Sequence, residues 1–308
     1  MNVKIFMIIL LAINIMLANS GSEAGAFLRH QFGAVESGRG GISVAWDEIS
    51  GYSFFYNPSL LPQTSERFAT MAFQFLPLDR QIYSAGINLP LPPTGALSFN
   101  IIHVGVRNLF AYNSLGENLG EIDFGDDIFY ASFAQKINRR LYVGINLKYI
   151  IESYKGNDVD FEYNAKGRGL DLGVYSPVND KIGVGFVMSN IAGQIRSNTG
   201  DLFERGLEIV DKFPVTFSLG GRYNIRKNIK FGADYKWNSK GKKDLLTGIE
   251  GNFNGISIRT GLFDGHFNAG MGFVKKISRK FSLRIDYGFV SGLENEGASH
   301  LFNWNFVF

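Results

Sequence analysis

Cysteine is absent from this chain, which removes disulfides, thiolate metal sites and cysteine nucleophiles in one step. The absence also suits an oxidising compartment, where unpaired thiols are a liability. Histidine is scarce: His30, His103, His266 and His300 fall in no recognisable nucleophile motif, and Gly-x-Ser-x-Gly does not occur. The chain therefore reads as a non-enzyme, with an Asp–His pair assembled in space as the one enzymatic route left open. Net charge is only +3 and no long basic cluster exists, which sets nucleic acid aside. Gly38-Arg39-Gly40-Gly41 lacks the Lys-Ser/Thr ending of a phosphate loop, so no cofactor is expected from it. The acidic residues Glu117, Glu121, Asp123, Asp126 and Asp127, then Asp158, Asp160 and Glu162, match no defined calcium loop, and no metal is expected.

What the chain does have is 28 Phe, 13 Tyr and 37 Gly, arranged at a period of two. The last eight residues carry Phe302, Trp304, Phe306 and Phe308 on one strand face and Asn303 and Asn305 on the other. A soluble protein seldom ends on such a strand, because it would template aggregation. In a lipid-embedded barrel one face meets acyl chains and the other a polar lumen. The same alternation recurs in Leu141–Ile151, Ile229–Trp237 and Phe281–Phe289, with full charges among the polar partners.

About fourteen strands follow from this pattern. The first seven run at about 67–76, 81–89, 95–106, 127–136, 140–152, 168–176 and 181–192. The other seven run at about 213–225, 228–238, 244–252, 255–262, 266–275, 280–290 and 298–308. The fold class is thus all-β, an antiparallel transmembrane barrel (67–308) preceded by an N-terminal plug (21–66), lumenal or periplasmic. Short connections interleave with longer ones at 107–126, 153–167 and 191–212. This sorting suits a barrel with one end in the periplasm and the other outside, both termini lying at the periplasmic face. Loop 191–212 carries Phe203, Leu207 and Ile209, either a contact surface or a fold over the barrel mouth. Residues 1–20 read as a secretory signal, with Lys4 ahead of an apolar run over 5–16; cleavage after Ala24 also fits the small-residue rule.

The lumen is expected to carry Lys148, Asp171, Arg222, Asp234, Glu250, Arg259, Arg284 and Asp286, most simply as pairs that hold wall and plug together. Apolar lumenal positions such as Tyr142, Ile150 and Leu246 read as too few to form a pocket. Asn57-Pro58 has the form of a cap followed by the first residue of a short helix.

In the N-terminal segment, Gly38, Gly40, Gly41, Ala45 and Asp47 followed by Asn57-Pro58-Ser59 resemble the opening signature of the PorV/PorQ family of outer-membrane barrels, related in fold to FadL channels. Ile42 and Ser59 depart mildly from that pattern. The strand at Leu141–Tyr149, the Gly169–Tyr175 stretch, Asn190 and Pro214 are similar too. The resemblance implies an outer-membrane location and a role in or beside type IX-like secretion, with a translocon or secreted cargo as partner. The alternative to that role is a FadL-like transporter of hydrophobic small molecules. Membrane lipid and, through the aromatic C-terminal strand, the barrel assembly machinery are the other expected partners.

Overall fold

The computed structural model describes residues 24–48, 50–156, 162–198, 208–292 and 297–308. The signal segment lies outside them. Among the described residues fifteen strands form one antiparallel sheet. They are β1 (Phe68–Phe75), β2 (Arg80–Leu91), β3 (Gly95–Tyr112), β4 (Asn118–Asn138) and β5 (Leu141–Gly156). Next come β6 (Glu162–Pro177), β7 (Ile182–Asn198), β8 (Glu208–Lys212), β9 (Thr216–Arg226) and β10 (Ile229–Asn238). The last are β11 (Lys243–Phe253), β12 (Ile256–Phe263), β13 (His266–Lys276), β14 (Ser282–Val290) and β15 (Ser299–Val307). Pairing of β1 with β15 and of β6 with β7 closes the sheet into a ring of fourteen. Closure leaves no unpaired edge in the ring, the condition for a sheet to stand in lipid. The fifteenth, β8, pairs with β7 above the ring.

Alternation sets the two faces. On β15, Leu301, Asn303 and Asn305 are buried inside, while Phe302 and Trp304 face out. Phe73 and Trp304, outward on neighbouring strands, meet edge to face at 5.7 Å. Outward apolar side chains recur around the ring, among them Phe99, Phe129, Leu147, Leu219, Ile258 and Met271.

Strand starts and ends agree with the sequence pattern within a few residues except on one side. There, β3 to β7 rise far above their neighbours, so the stretches expected as loops at 107–126, 153–167 and 191–212 are mostly strand. Only residues 113–117 connect β3 to β4. Of the three apolar residues expected in the third loop, Phe203 and Leu207 lie outside the described residues. Ile209 is on β8, exposed.

Residues 24–66 pass through the ring. Gly25 lies beside Phe213 near the long-connection end, and from there the segment descends to the short-turn end near Glu48. A short helix (Ala34–Gly38) rests on β12–β15 and a 3-10 turn (Pro58–Gln63) on β2–β6. The backbones come very close, and inward glycines of the wall make this possible. A Cβ on Gly38 would stand 2.9 Å from the Gly270 Cα, one on Gly144 2.5 Å from the Pro58 carbonyl carbon, and one on Gly261 2.6 Å from the Gly40 nitrogen. Gly40 itself has φ +79°, a left-handed conformation that favours glycine. Much of the glycine content thus marks the track on which the plug lies.

Candidate functional site

The lumen has two unlike halves. On β9–β15 it is polar, and the plug is tied to it by buried charges. Arg39 lies 3.1 Å from Glu250, which also meets Arg259 at 3.3 Å. Arg259 reaches on to Asp286 at 2.9 Å, and Asp286 pairs with Arg284 at the same distance. Arg39 also stacks over the Trp46 ring at 4.5 Å. Nearer the short-turn end, Asp47 pairs with Arg222 at 3.0 Å and with Lys230 at 3.3 Å. Asp234 accepts the Ser43 and Val44 amides at 2.8 and 3.0 Å. Glu36, fully enclosed, has Arg39 at 3.5 Å and the Ser50 hydroxyl as donor; burial pushes its carboxyl above the ordinary range.

All eight expected lumenal charges are therefore on the inner face, six of them in contact with the plug or with a charge that touches it. The other two, Lys148 and Asp171, pair at 2.7 Å between β5 and β6 and belong to a different feature described below. The signature residues of the plug are seated in the same way. Gly38, Gly40 and Gly41 follow the glycine track, and Ala45 packs with Leu60, Tyr142 and Tyr175. Asn57 caps the turn opened by Pro58: its Oδ1 accepts from the Ser59 amide at 3.1 Å. Its Nδ2 donates to the Val44 and Val174 carbonyls at 2.6 and 3.2 Å, joining plug to β6. Asn57→Ala would strand two buried carbonyls and a cap. It is expected to cost about 2–4 kcal/mol, read from the urea midpoint of heat-modifiable gel mobility.

On β2–β7 the lumen adds an apolar cluster, which the sequence reading underestimated, among buried polar residues such as Asn88, Asn100, Asn146 and Lys148. Ile82, Ile102, Ile128 and Ile150 line the wall, with Tyr130 and Val104. Against them the plug sets Phe32, Tyr52, Phe54, Phe55 and Tyr56, with Phe32 edge-to-face on Phe55 at 4.7 Å and Phe54 on Tyr130 at 5.2 Å. An aromatic run on the plug and β-branched residues on both faces of β3 to β5 were the available signals.

Between the halves the wall is broken. Asn190 and Ala192 in β7 have φ of 61° and 50°, and the β6–β7 register shifts twice around Leu170. β7 pairs with β9 only up to Ser189 and with β8 only from Gln194. Across the interval stand Phe213-Pro214-Val215, and Pro214 has no N–H to offer a ladder. One backbone bond, from the Phe213 N–H to the Gly193 carbonyl at 2.9 Å, and several side chains hold the break. The Asn190 amide donates to Asp171 at 2.9 Å, its Nδ2 donates to the Pro214 carbonyl at 3.2 Å, and Lys148 pairs with Asp171.

Directly inside this break lies a cavity of about 140 Å³. Phe55, Tyr56, Trp237 and Phe263 give it aromatic sides, while Lys148, Asp171 and Asn190 face it from the break. Lys236 sits 5.3 Å over the Tyr56 ring. A volume of this size matches a cavity that holds one benzene-sized molecule, roughly 150 Å³. The first described residues, Ala24, Gly25 and Leu28, close it from above.

Other candidates are placed elsewhere. His103 does form an Asp–His pair, 2.8 Å from Asp127, but on the outer face of the barrel. Among the described residues no group of three or more acidic or histidine side chains is arranged to hold a metal ion. No helix of the described residues is long and apolar enough to cross a membrane.

No protein-family model and no curated protein sequence matches this chain. Solved structures do. The fold is similar to that of the CymD monoaromatic hydrocarbon channel (TM-score 0.60, 14% identity, 89% of this chain and 96% of that one). It is similar to a Pseudomonas aeruginosa FadL homologue (TM-score 0.62, 10% identity, 89% and 97%). The Pseudomonas putida toluene transporter TodX gives a TM-score of 0.58 at 10% identity over 90% and 96%. The chain therefore shares the closed antiparallel barrel fold of these structures. One of them is named as a channel and one as a transporter, and none lends support to the type IX secretion role that the PorV/PorQ resemblance implied.

Proposed function

We propose that this chain is an outer-membrane channel for hydrophobic small molecules. The observation that carries the reading is the break in β7 backed by an aromatic cavity. A ladder to β9 interrupted at Asn190–Ala192 gives the wall a side exit, and a ring-sized compound held among Phe55, Tyr56 and Trp237 stands next to it. The plug fills the axial path, with glycine-lined wall and plug backbones in contact, so passage through the side suits an apolar solute better than passage straight down. The apolar cluster of the lumen on β2–β7 is continuous with the same region. In this reading the tall strands stand outside the cell and the short turns face the periplasm. The neighbours named for toluene and monoaromatic hydrocarbons support a similar solute here.

The test is uptake of a labelled single-ring aromatic into vesicles that contain the barrel. Uptake faster than into empty vesicles is expected, and Ser218→Trp, which projects an indole into the cavity, is expected to abolish the difference. Equal uptake with and without the barrel rejects the reading.

A further inference from the structure

We propose that the outer wall of β2–β5 carries a site for one zwitterionic phospholipid, its acyl chain in an apolar groove and its phosphate and ammonium in a polar notch above. The site is separate from the cavity at the β7 break and rests only on the barrel standing in lipid.

The two parts are continuous because outward residues follow one another at every second position. On β3 the outward series runs Phe99, Ile101, His103, Gly105; on β4 it runs Ala131, Phe129, Asp127, Gly125. The lower members line an apolar groove of about 610 Å³ whose floor is kept low by Ala85 and Ala131 between Phe99, Phe129 and Tyr149. The upper members line a notch of about 520 Å³.

The notch is built rather than incidental. Its floor is glycine on two adjacent strands, with Gly105 paired to Gly125. The His103 ring lies over both: a Cβ on Gly125 would come 2.8 Å from ring Cε1, and one on Gly105 3.0 Å from Nε2. Asp127 fixes the ring through Nδ1 at 2.8 Å, and Tyr83 stacks on it with centroids 6.3 Å apart. Around the rest of the notch stand Lys155 and the carboxylates Glu121 and Asp123.

Charge complementarity selects the occupant. Lys155 and the imidazole suit a phosphate, while Glu121 and Asp123 suit an ammonium group. A head with both charges satisfies both sides. A purely anionic head would face the two carboxylates. The change from apolar groove to charged notch along one furrow is the profile of a lipid lying along the wall, with its ester region near Ile101 and Phe129.

The whole barrel is reconstituted in equal phosphatidylethanolamine and phosphatidylglycerol, released, and examined by native mass spectrometry. One retained phosphatidylethanolamine, in about tenfold excess over phosphatidylglycerol, is expected. Ala131→Phe fills the groove and should remove the bound lipid. Asp123→Lys should turn the preference toward phosphatidylglycerol. Both variants point outward, and heat-modifiable gel mobility verifies that each still folds. Equal retention of the two lipids, or retention unchanged in both variants, overturns the site. Such an outcome leaves the transport reading untouched, since uptake of aromatics is measured separately.

Discussion

Arg259→Met is expected to lower the unfolding free energy of the barrel by about 3–5 kcal/mol, the cost of removing one partner from a buried ion pair. Arg259 is 1% exposed and stands between Glu250 and Asp286, both fully buried, at 3.3 and 2.9 Å. Without it Glu250 keeps the Arg39 charge and a hydrogen bond from Asn252, and Asp286 keeps the Arg284 charge. Each carboxylate then carries a charge in a dry site with half its compensation gone. Loss of favourable contact alone would be far smaller, because a buried pair barely repays its own desolvation. Arg259→Lys separates the two contributions. Lysine restores the charge but not the planar fork that spans two carboxylates, so an intermediate loss is expected. The measurement is the urea dependence of folded and unfolded gel mobility for the three proteins. A loss below about 1 kcal/mol for Met would mean that water reaches the cluster and that the network does little to seat the plug.

How much of this was legible in the sequence depends on the distance over which each contact acts. The ring strands were readable because alternation is local: Phe281 to Phe289 and Phe302 to Phe308 declare their faces without reference to anything else. The same rule failed for the upper parts of β3 to β7. Above His103 and Asp127 the outward positions turn acidic, with Glu121 and Asp123 opposite Ile122 and Phe124, so the stretch reads as an acidic loop although it is strand. Charges such as Arg259 and Asp286 were readable as lumenal, but their partners were not, since Arg39 and Glu250 are separated by 211 residues. The plug's cap at Asn57-Pro58 is a two-residue signal and was found. Its bonds to the Val44 and Val174 carbonyls are tertiary and left no local trace. The break in β7 was hidden for a related reason: Asn190 and Ala192 are ordinary strand neighbours in sequence, and only the loss of β9 as a partner exposes them.

Gly261→Val is expected to convert a closed barrel into a leaky one. Gly261 pairs with Gly248 on the inner wall, and the Arg39–Gly40 backbone lies across both. A Cβ at residue 261 would meet the Gly40 nitrogen at 2.6 Å and the Arg39 carbonyl more closely still. These are backbone atoms, so no side-chain rotation relieves the overlap. Either the wall bends or the plug leaves, and the wall is the stiffer of the two there because β12 is hydrogen-bonded along its length to β11 and β13. Displacing the plug there pulls Arg39 from Glu250 and removes what blocks the axial path. The expected readout is steady ion conductance in a planar bilayer, absent from the parent protein, together with passage of polar solutes into vesicles. Gly221→Val is the control: it lies on the same kind of strand, but a Cβ there meets nothing within 4 Å, so conductance should stay at the parent level. If Gly261→Val folds and remains closed, the plug does not seal the barrel. The axial path would then be blocked by the wall's own side chains, and lateral exit at Asn190–Ala192 would lose its main support.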